Sequence, residues 1–372
     1  MAGTTTIGGH SPITVIFSEA NNQQHHLQCC KLAAAAFGAP LSEQDYLERE
    51  EYLDQQPLTQ HGGWRTWCLR TTTEPPGQVV SACKTIQRSL LVSEAGTVGE
   101  RKGYCIASVV THPDFRGRGL ASALLEHLAR WLDGPGDAYA SMLYTSIGNF
   151  YHGRGWIMLP AYQLVLSTLP TPELCSPSDQ TLPMTRLLEE TEISELCLRD
   201  VESIKCSFQS SQENKDDRHI SVLPTPDITT WMQDRGDFTT SKVVGRIPLY
   251  HGSICESADT WLYWYHDHRK KHLAVQRIHL GAPSYSQPQL TQALTAILFD
   301  AVKEARNWNL PKVVVWDPSA ATLEAASTLG KTHGIEVDHG ERVGSSIPSI
   351  RWRDADLPRK IIVHNNEKFA YS

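Results

Sequence analysis

This sequence predicts an α/β chain built on mixed sheets, with one order of strands and helices running through it twice. Three observations point there. Residues 105–132 read as strand, glycine turn and helix. Around that unit the first half follows the order β-α-α-β-β-β-α-β-α-β. After a proline-rich stretch at 169–183, a hairpin, helix, strand and helix come again. The 372 residues suffice for two domains, and a 40% hydrophobic, 20% charged composition can bury a real core. The expected divisions are a first domain at 10–168, a linker at 169–183, a second domain at 184–350 and a tail at 351–372.

Taken in order, residues 13–17 alternate as a short strand. Residues 21–37 form a helix with Leu27, Cys30, Leu32, Ala34 and Ala35 on its apolar face, stopped by Gly38 and Pro40. Ser42 caps a second, acidic helix through Leu53. Residues 64–70 and 79–91 read as strands about a hairpin turn at 74–77, and the glycine-rich, polar stretch 93–103 as a loop. The strand from Cys105 is rich in β-branched residues and ends at Pro113. Leu120, Leu124, Leu128, Trp131 and Leu132 then recur at helical spacing. A strand at 138–144, a short helix holding Phe150 and Tyr151, and a strand at 156–166 close the first half.

In the second half, residues 190–208 are helical, with Ile193, Leu196, Cys197, Val201 and Ile204 on one face, and 207–218 is a polar connection. Thr230–Asp234 reads as a short helical turn. Residues 261–265 and 273–280 flank the charged turn Asp267–Lys271 as a hairpin. A helix at 290–308, a buried strand at 313–316 and a helix at 320–331 follow.

Composition excludes several classes. Net charge is −7 with no basic run, which argues against nucleic-acid binding. No apolar run reaches membrane-spanning length, and the first residues lack a secretory signal. Nine scattered cysteines show neither Cys-x-x-Cys nor Cys/His ligand spacing, so reduced thiols in a cytoplasmic protein are expected, and no metal. Tyr371-Ser372 is no peroxisomal address.

The chemistry-bearing stretch is Arg116-Gly117-Arg118-Gly119-Leu120-Ala121. Glycines just before a helix let the backbone fold around a bulky anion. The first helical N–H groups and the helix dipole favour negative charge there. No Gly-Lys-Ser/Thr follows, so this is no Walker loop, and the glycine spacing is wrong for a dinucleotide fingerprint. What remains is Arg116-x-x-Gly119-x-Ala121 after Val109-Val110-Thr111-x-Pro113. It resembles the acyl-CoA pyrophosphate loop of the GCN5-related N-acetyltransferase (GNAT) superfamily. Tyr151-x-x-x-Gly155-Trp156 stands where that superfamily carries Tyr-x-x-x-Gly-Phe, and the resemblance spans roughly residues 10–168. It implies a tandem acyl-CoA N-acyltransferase fold using acetyl-CoA. Amides 116–121 would hold the diphosphate. The edge Val109–Thr111 would take the pantetheine arm and offer an N–H to the thioester carbonyl. Tyr151 would protonate the departing thiolate. The second copy has no such loop: Gly281–Pro288 contains prolines that remove N–H donors, so it is not expected to bind CoA.

An amine acceptor must lose a proton, and a lysine ε-amine starts at a pKa of about 10.4. Glu43, Asp45, Glu48, Glu50 and Glu51 on the second helix read as a solvated face, and His112 as a structural loop histidine. The tail mixes aromatic, charged and amide residues to its end. With Asn366-Glu367-Lys368-Phe369 it resembles the fungal free-lysine N6-acetyltransferases, which end in Asn-Glu-Lys-aromatic. That resemblance implies acetyl transfer to L-lysine in lysine catabolism. A tail that folds back to the cleft would bring Glu367 or the terminal carboxylate of Ser372 to receive the ammonium or act as base. A tail that simply packs between the halves is the alternative. Other readings are a protein N-acetyltransferase, a polyamine or antibiotic acetyltransferase, and a non-catalytic acyl-CoA binding module. Nothing in the sequence sets the oligomeric state.

Overall fold

A computed structural model describes residues 3–7, 12–72, 77–94, 96–170, 182–210, 217–282, 284–353 and 360–371. The expected turn at 74–77 apart from Gly77, most of the expected linker, the connection 211–216 and Ser372 lie outside the described residues. The first half runs β1 (Gly3–Ile7), β2 (Ile13–Glu19), α1 (Gln23–Phe37), α2 (Glu43–Asp54), β3 (Trp64–Thr71), β4 (Val79–Glu94), β5 (Thr97–Thr111), α3 (Leu120–Asp133), β6 (Ala140–Thr145), β7 (Ile157–Met158) and β8 (Tyr162–Pro170). The second runs β9 (Arg186–Leu188), α4 (Glu190–Ser210), β10 (Arg218–Val222), α5 (Pro226–Val244), β11 (Gly252–Cys255), β12 (Thr260–Asp267), β13 (His272–His279), α6 (Gln287–Asn307), β14 (Lys312–Trp316), α7 (Ala320–His333), β15 (Ile335–Glu341), β16 (Ile347–Trp352) and β17 (Ile361–His364).

Among the described residues these strands form two mixed sheets. Each is centred on a parallel pair joined by a helix. In the first, β5 and β6 pair from Gly103↔Ala140 to Ile106↔Leu143, with α3 between them in sequence. In the second, β13 and β14 pair from Leu273↔Val313 to Val275↔Val315, with α6 between. The apolar stripe of α3 is buried through Leu120, Leu124, Leu125, Leu128 and Leu132, against Val15, Phe17, Trp67, Leu69 and Ile106. Burying each such leucine contributes about 2 kcal/mol. α6 repeats the device with Leu294, Ile297, Leu298 and Ala301 against Leu166, Val275 and Val315.

The halves exchange a strand. β8 pairs with β14 and β15 in the second sheet, while β16 lies between β6 and β7 in the first. A division at residue 168 therefore does not separate the two sheets. The expected strand at 156–166 is broken at residues 159–161, where Pro160 has no N–H to give a ladder. Beyond the break, Leu164 and Leu166 alternate into the second core.

Two further expectations fail. Residues 93–103 are not a loop: β4 and β5 continue as one hairpin, with Glu94 opposite Thr97. Pairing along the whole of β4 overrides the weak strand propensity of an exposed Gly-Glu-Arg-Lys run. Thr230–Asp234 is the middle of α5, a 19-residue helix that starts at Pro226 after Thr225. Its threonines hide it from propensity. Thr239 and Thr240 turn their hydroxyls back on the carbonyls of Arg235 and Gly236 (2.9 and 2.8 Å), while Ile228, Trp231 and Met232 are buried. Among the described residues no helix is long and apolar enough to cross a membrane.

Candidate active site

The site begins at a fault in β5. Ser108 has φ 53, and the ladder to β4 shifts register between Ala82 and Lys84, so β5 carries a bulge there. Just before it, at Ile106↔Leu143, the pairing to β6 ends. The two strands splay around a cavity of about 320 Å³. Residues 106–109 form one wall, and 143–147 with Tyr151 the other. Of the three expected edge residues, Val109 lines this cavity. Val110 and Thr111 instead pair with β4: the Val110 carbonyl accepts the Ser81 hydroxyl (2.8 Å), and the Thr111 carbonyl accepts Arg116 Nε (3.3 Å).

The loop after β5 turns twice through positive φ, at Gly117 (75°) and Gly119 (81°). Gly119 is the residue before α3, and no side chain caps that helix. Gly117, Arg118 and Gly119 are exposed, Leu120 is buried and Ala121 half-buried. The first N–H groups of α3 thus have no side-chain cap and follow directly on the exposed Arg116 and Arg118, an arrangement that favours an anion. Arg154 joins this end to the Tyr151 turn. Its guanidinium bonds the Ser122 hydroxyl in the first turn of α3 and the Phe150 carbonyl. Sequence reading passed over Arg154 as part of a His-Gly-Arg-Gly turn. His112 accepts the Asp114 N–H (3.3 Å) and shapes the same loop.

Tyr151 is held by two short 3-10 turns, which Gly155 ends at φ 90. Its carbonyl accepts the Arg154 and Trp156 N–H groups (2.9 and 3.2 Å), and its ring meets Phe150 edge-on at 5.0 Å. Burial pushes its hydroxyl up to about 12, so it is protonated at neutral pH and available as a donor.

The rest of the cavity lining comes from elsewhere in the chain. Arg235 of α5, Arg269 and Lys270 of the β12–β13 turn, and Tyr371 of the tail line it, with Phe37 and Tyr46. Lys270 donates to Ser346 (2.8 Å). Tyr371 meets Tyr144 and Trp316 edge-on (5.1 and 5.6 Å), and its carbonyl accepts from Arg88. Among the described residues no aspartate or glutamate lines this cavity, and neither Arg235 nor Arg269 has a carboxylate within 4 Å. Sequence reading missed all four residues. The cationic turn at 267–271 was a signal, but it read equally well as a solvated hairpin.

The expected acidic residues are placed elsewhere. Asp45 and Glu48 pair with Lys242 of α5 (2.8 and 2.7 Å), Glu43 with Lys31 (3.7 Å), and Glu51 is exposed. Glu50 is buried against Lys84 and Arg49. Burial alone would raise its carboxyl, but those two charges outweigh it and hold the group down to about 2, which suits a structural ion pair and not a base. Glu367 corrects an expectation. It does not face the cavity between β5 and β6 but is buried in the second half, bonded to Arg277 and to the Ile278 N–H (3.1 Å). Asp200 shares Arg277 (2.7 Å). One guanidinium cannot neutralise two buried carboxylates, so Asp200 falls to about 2 while burial pushes Glu367 up to about 7. Ser372, one residue past Tyr371, lies outside the described residues.

Comparison with known proteins agrees with this frame. The family model for the LYC1 GNAT-like C-terminal domain matches residues 169–372, and that for an acetyltransferase (GNAT) domain matches residues 19–158. A lysine acetyltransferase of Yarrowia lipolytica is 23% identical over 370 residues, covering 87% of this chain and 91% of that protein. Among solved structures, a GCN5-related N-acetyltransferase from Kribbella flavida superposes with a TM-score of 0.54 at 15% identity, covering 93% of this chain and 74% of the other. Saccharomyces cerevisiae N-myristoyltransferase with bound myristoyl-CoA gives 0.51 at 11% identity, covering 90% and 82%. These structures share the fold, and the two family models place one GNAT domain in each half. One of the models spans more than half of the chain by itself; the chain belongs to the family of the LYC1 GNAT-like C-terminal domain and is an acyltransferase of the GNAT type.

Proposed function

We propose that this chain moves the acetyl group of acetyl-CoA to the ε-amine of free L-lysine, a cytoplasmic step in lysine degradation. One observation carries the choice of acceptor. Among the described residues, Arg235, Arg269 and Lys270 line the cavity and no aspartate or glutamate does. Such a wall attracts the α-carboxylate of an amino acid through charge-assisted hydrogen bonds and repels a polyamine or a basic protein tail.

The CoA diphosphate sits on the N–H groups opening α3, between Arg116 and Arg118. The pantetheine arm follows the splayed edge of β5 and brings the thioester to the bulge at Ser108–Val109. There a main-chain N–H stabilises the negative oxygen of the tetrahedral adduct. The ε-ammonium first gives up a proton to water; the cationic wall disfavours its charged form and eases that loss. The free amine attacks the carbonyl carbon and forms the N–C bond. On collapse the C–S bond breaks, nitrogen loses its second proton to water, and the thiolate takes one from Tyr151, which water then reprotonates, giving N6-acetyl-L-lysine and CoA.

Thiol release from acetyl-CoA with free lysine, a polyamine and a lysine-containing peptide tests this. Free lysine should be turned over fastest. A faster polyamine or peptide overturns the acceptor assignment, and no thiol with any amine leaves only acyl-CoA binding. Truncation after Lys360 removes Tyr371 and should raise the lysine KM. Unchanged lysine turnover in a folded truncation would show that the tail only packs.

A further inference from the structure

Behind the acceptor end of the cavity, α5, β12 and the residue before β11 enclose a group of side chains that acetyl transfer does not use. Asp237, His251 and His266 each offer one ligand atom, and the three atoms lie within 4.8 Å of one another. His251 and His266 are 3% and 0% exposed. His251 Nε2 is 3.0 Å from the Asp237 carboxylate. His266 Nε2 is 3.1 Å from Glu304 Oε1 on α6, an oxygen that also accepts the Trp308 indole N–H (2.7 Å). A carboxylate only accepts, so His266 carries its proton on Nε2 and keeps a lone pair on Nδ1. That Nδ1, Nδ1 of His251 and Oδ1 of Asp237 are all buried and have no hydrogen-bond partner among the described residues. Unpaired buried polar atoms are destabilising, and one on each of three neighbouring ligand-type side chains points to a missing occupant.

We propose that Asp237, His251 and His266 bind one divalent transition-metal ion, with zinc the best match, and that Glu304 orients His266 for it. Two neutral imidazoles and one carboxylate form a zinc donor set, and a carboxylate on the second nitrogen of a ligating histidine is the usual outer partner. Calcium and magnesium prefer all-oxygen shells. Bonds of about 2.0–2.2 Å at tetrahedral angles put ligand atoms about 3.3–3.5 Å apart, which side-chain rotation from the present spacing can reach. The chain already runs close here: a Cβ on Gly236 would lie 3.2 Å from the His266 carbonyl oxygen. The ion would brace α5 against β12, the elements that deliver Arg235 and the Arg269–Lys270 turn to the cavity. This last role rests on the acceptor reading above; metal binding itself does not. The ligands come from residues 237, 251 and 266, so no short ligand motif announces them.

The test uses the untagged full-length chain, stripped with a chelator, loaded with zinc or cobalt(II) and desalted. One ion per chain should be retained, Tm should rise by a few degrees, and the cobalt form should show weak visible bands without the intense thiolate charge-transfer band. Asp237→Asn and His251→Gln should lose retention with unchanged circular dichroism. Glu304→Gln, the milder change, should keep the stoichiometry at saturating zinc but weaken affinity about 10–100-fold. A stripped wild-type chain that retains no ion overturns the proposal, and the four groups are then a hydrogen-bonded relay. Retention equal in Asp237→Asn and wild type, or a thiolate band placing the ion on cysteine, also overturns it. The wild-type retention and cobalt spectrum decide even where a variant fails to fold.

Discussion

The unit β5–α3–β6 and its counterpart β13–α6–β14 have one architecture but different helix starts and strand edges. Each is an antiparallel hairpin strand followed by a helix and a parallel strand, and each parallel pair opens into a cavity, of about 320 and 290 Å³. The helix starts differ. α3 starts after Gly119 at positive φ, with no side-chain cap and two exposed arginines nearby. At α6 the Gln289 side chain takes the Ser286 N–H and hydroxyl (3.0 and 2.8 Å), and Pro288 has no N–H to offer. The strand edges differ too. Three residues past the last parallel pair stands Val109 in one half and Ile278 in the other. Val109 lines the open cavity, whereas the Ile278 N–H is taken by Glu367 of the chain's own tail. The frame sets where an anion and an edge ligand can go. Whether one binds there is decided by the few side chains at the turn and by what already holds the edge N–H.

The largest effect should come from making the first turn unable to form. Gly119→Val forces a β-branched residue to φ 81 and should lower acetyl-CoA affinity by about 100-fold or more in calorimetry, with the far-UV spectrum retained. An affinity near wild type would mean the turn is not where the two halves differ.

Next is Tyr151→Phe. Loss of a general acid should reduce kcat by about 100-fold while acetyl-CoA binding changes less than about twofold. Equal loss in both would reduce Tyr151 to a packing residue. Arg235→Gln removes a cation from the acceptor end and should raise the lysine KM by about 10-fold with little change in the acetyl-CoA KM. If the acetyl-CoA KM moved instead, the two ends of the cavity have been assigned the wrong way round. Arg118→Glu reverses an exposed charge and should weaken CoA only several-fold, the difference shrinking as salt screens it.

The smallest effect belongs to the closed half. Glu367 has a folded value of about 7, above the ordinary carboxylate value of about 4.3. Its stabilising contribution is therefore complete below about 4.3 and lost as pH rises through about 7. Facing it are Arg277, Asp200 and, through Asp200, His279. Glu367→Gln should flatten the fall in Tm across that window; an unaltered slope would assign the titration to another group.

What could be read along the chain was local. Glycines at 117 and 119 permit positive φ, leucines every third or fourth residue favour a helix, and residues 105–111 favour a strand. These short-range preferences already describe strand, glycine turn and helix in the first half, and a second half without such a turn near 281–288. The tertiary structure decided everything that depends on distant partners. It decided that Tyr162–Pro170 and Ile347–Trp352 trade sheets, and that residues 97–102 are held as strand by pairing. It also decided that a threonine-rich stretch is the helix α5. The cavity lining is the clearest case. Arg235, Arg269 and Tyr371 lie far along the chain from Tyr151, and their side chains carry no mark of their destination until two sheets, a helix and the tail have closed around one cavity. Local conformational preference is written residue by residue, but a binding surface assembled from remote segments exists only once packing has brought them together.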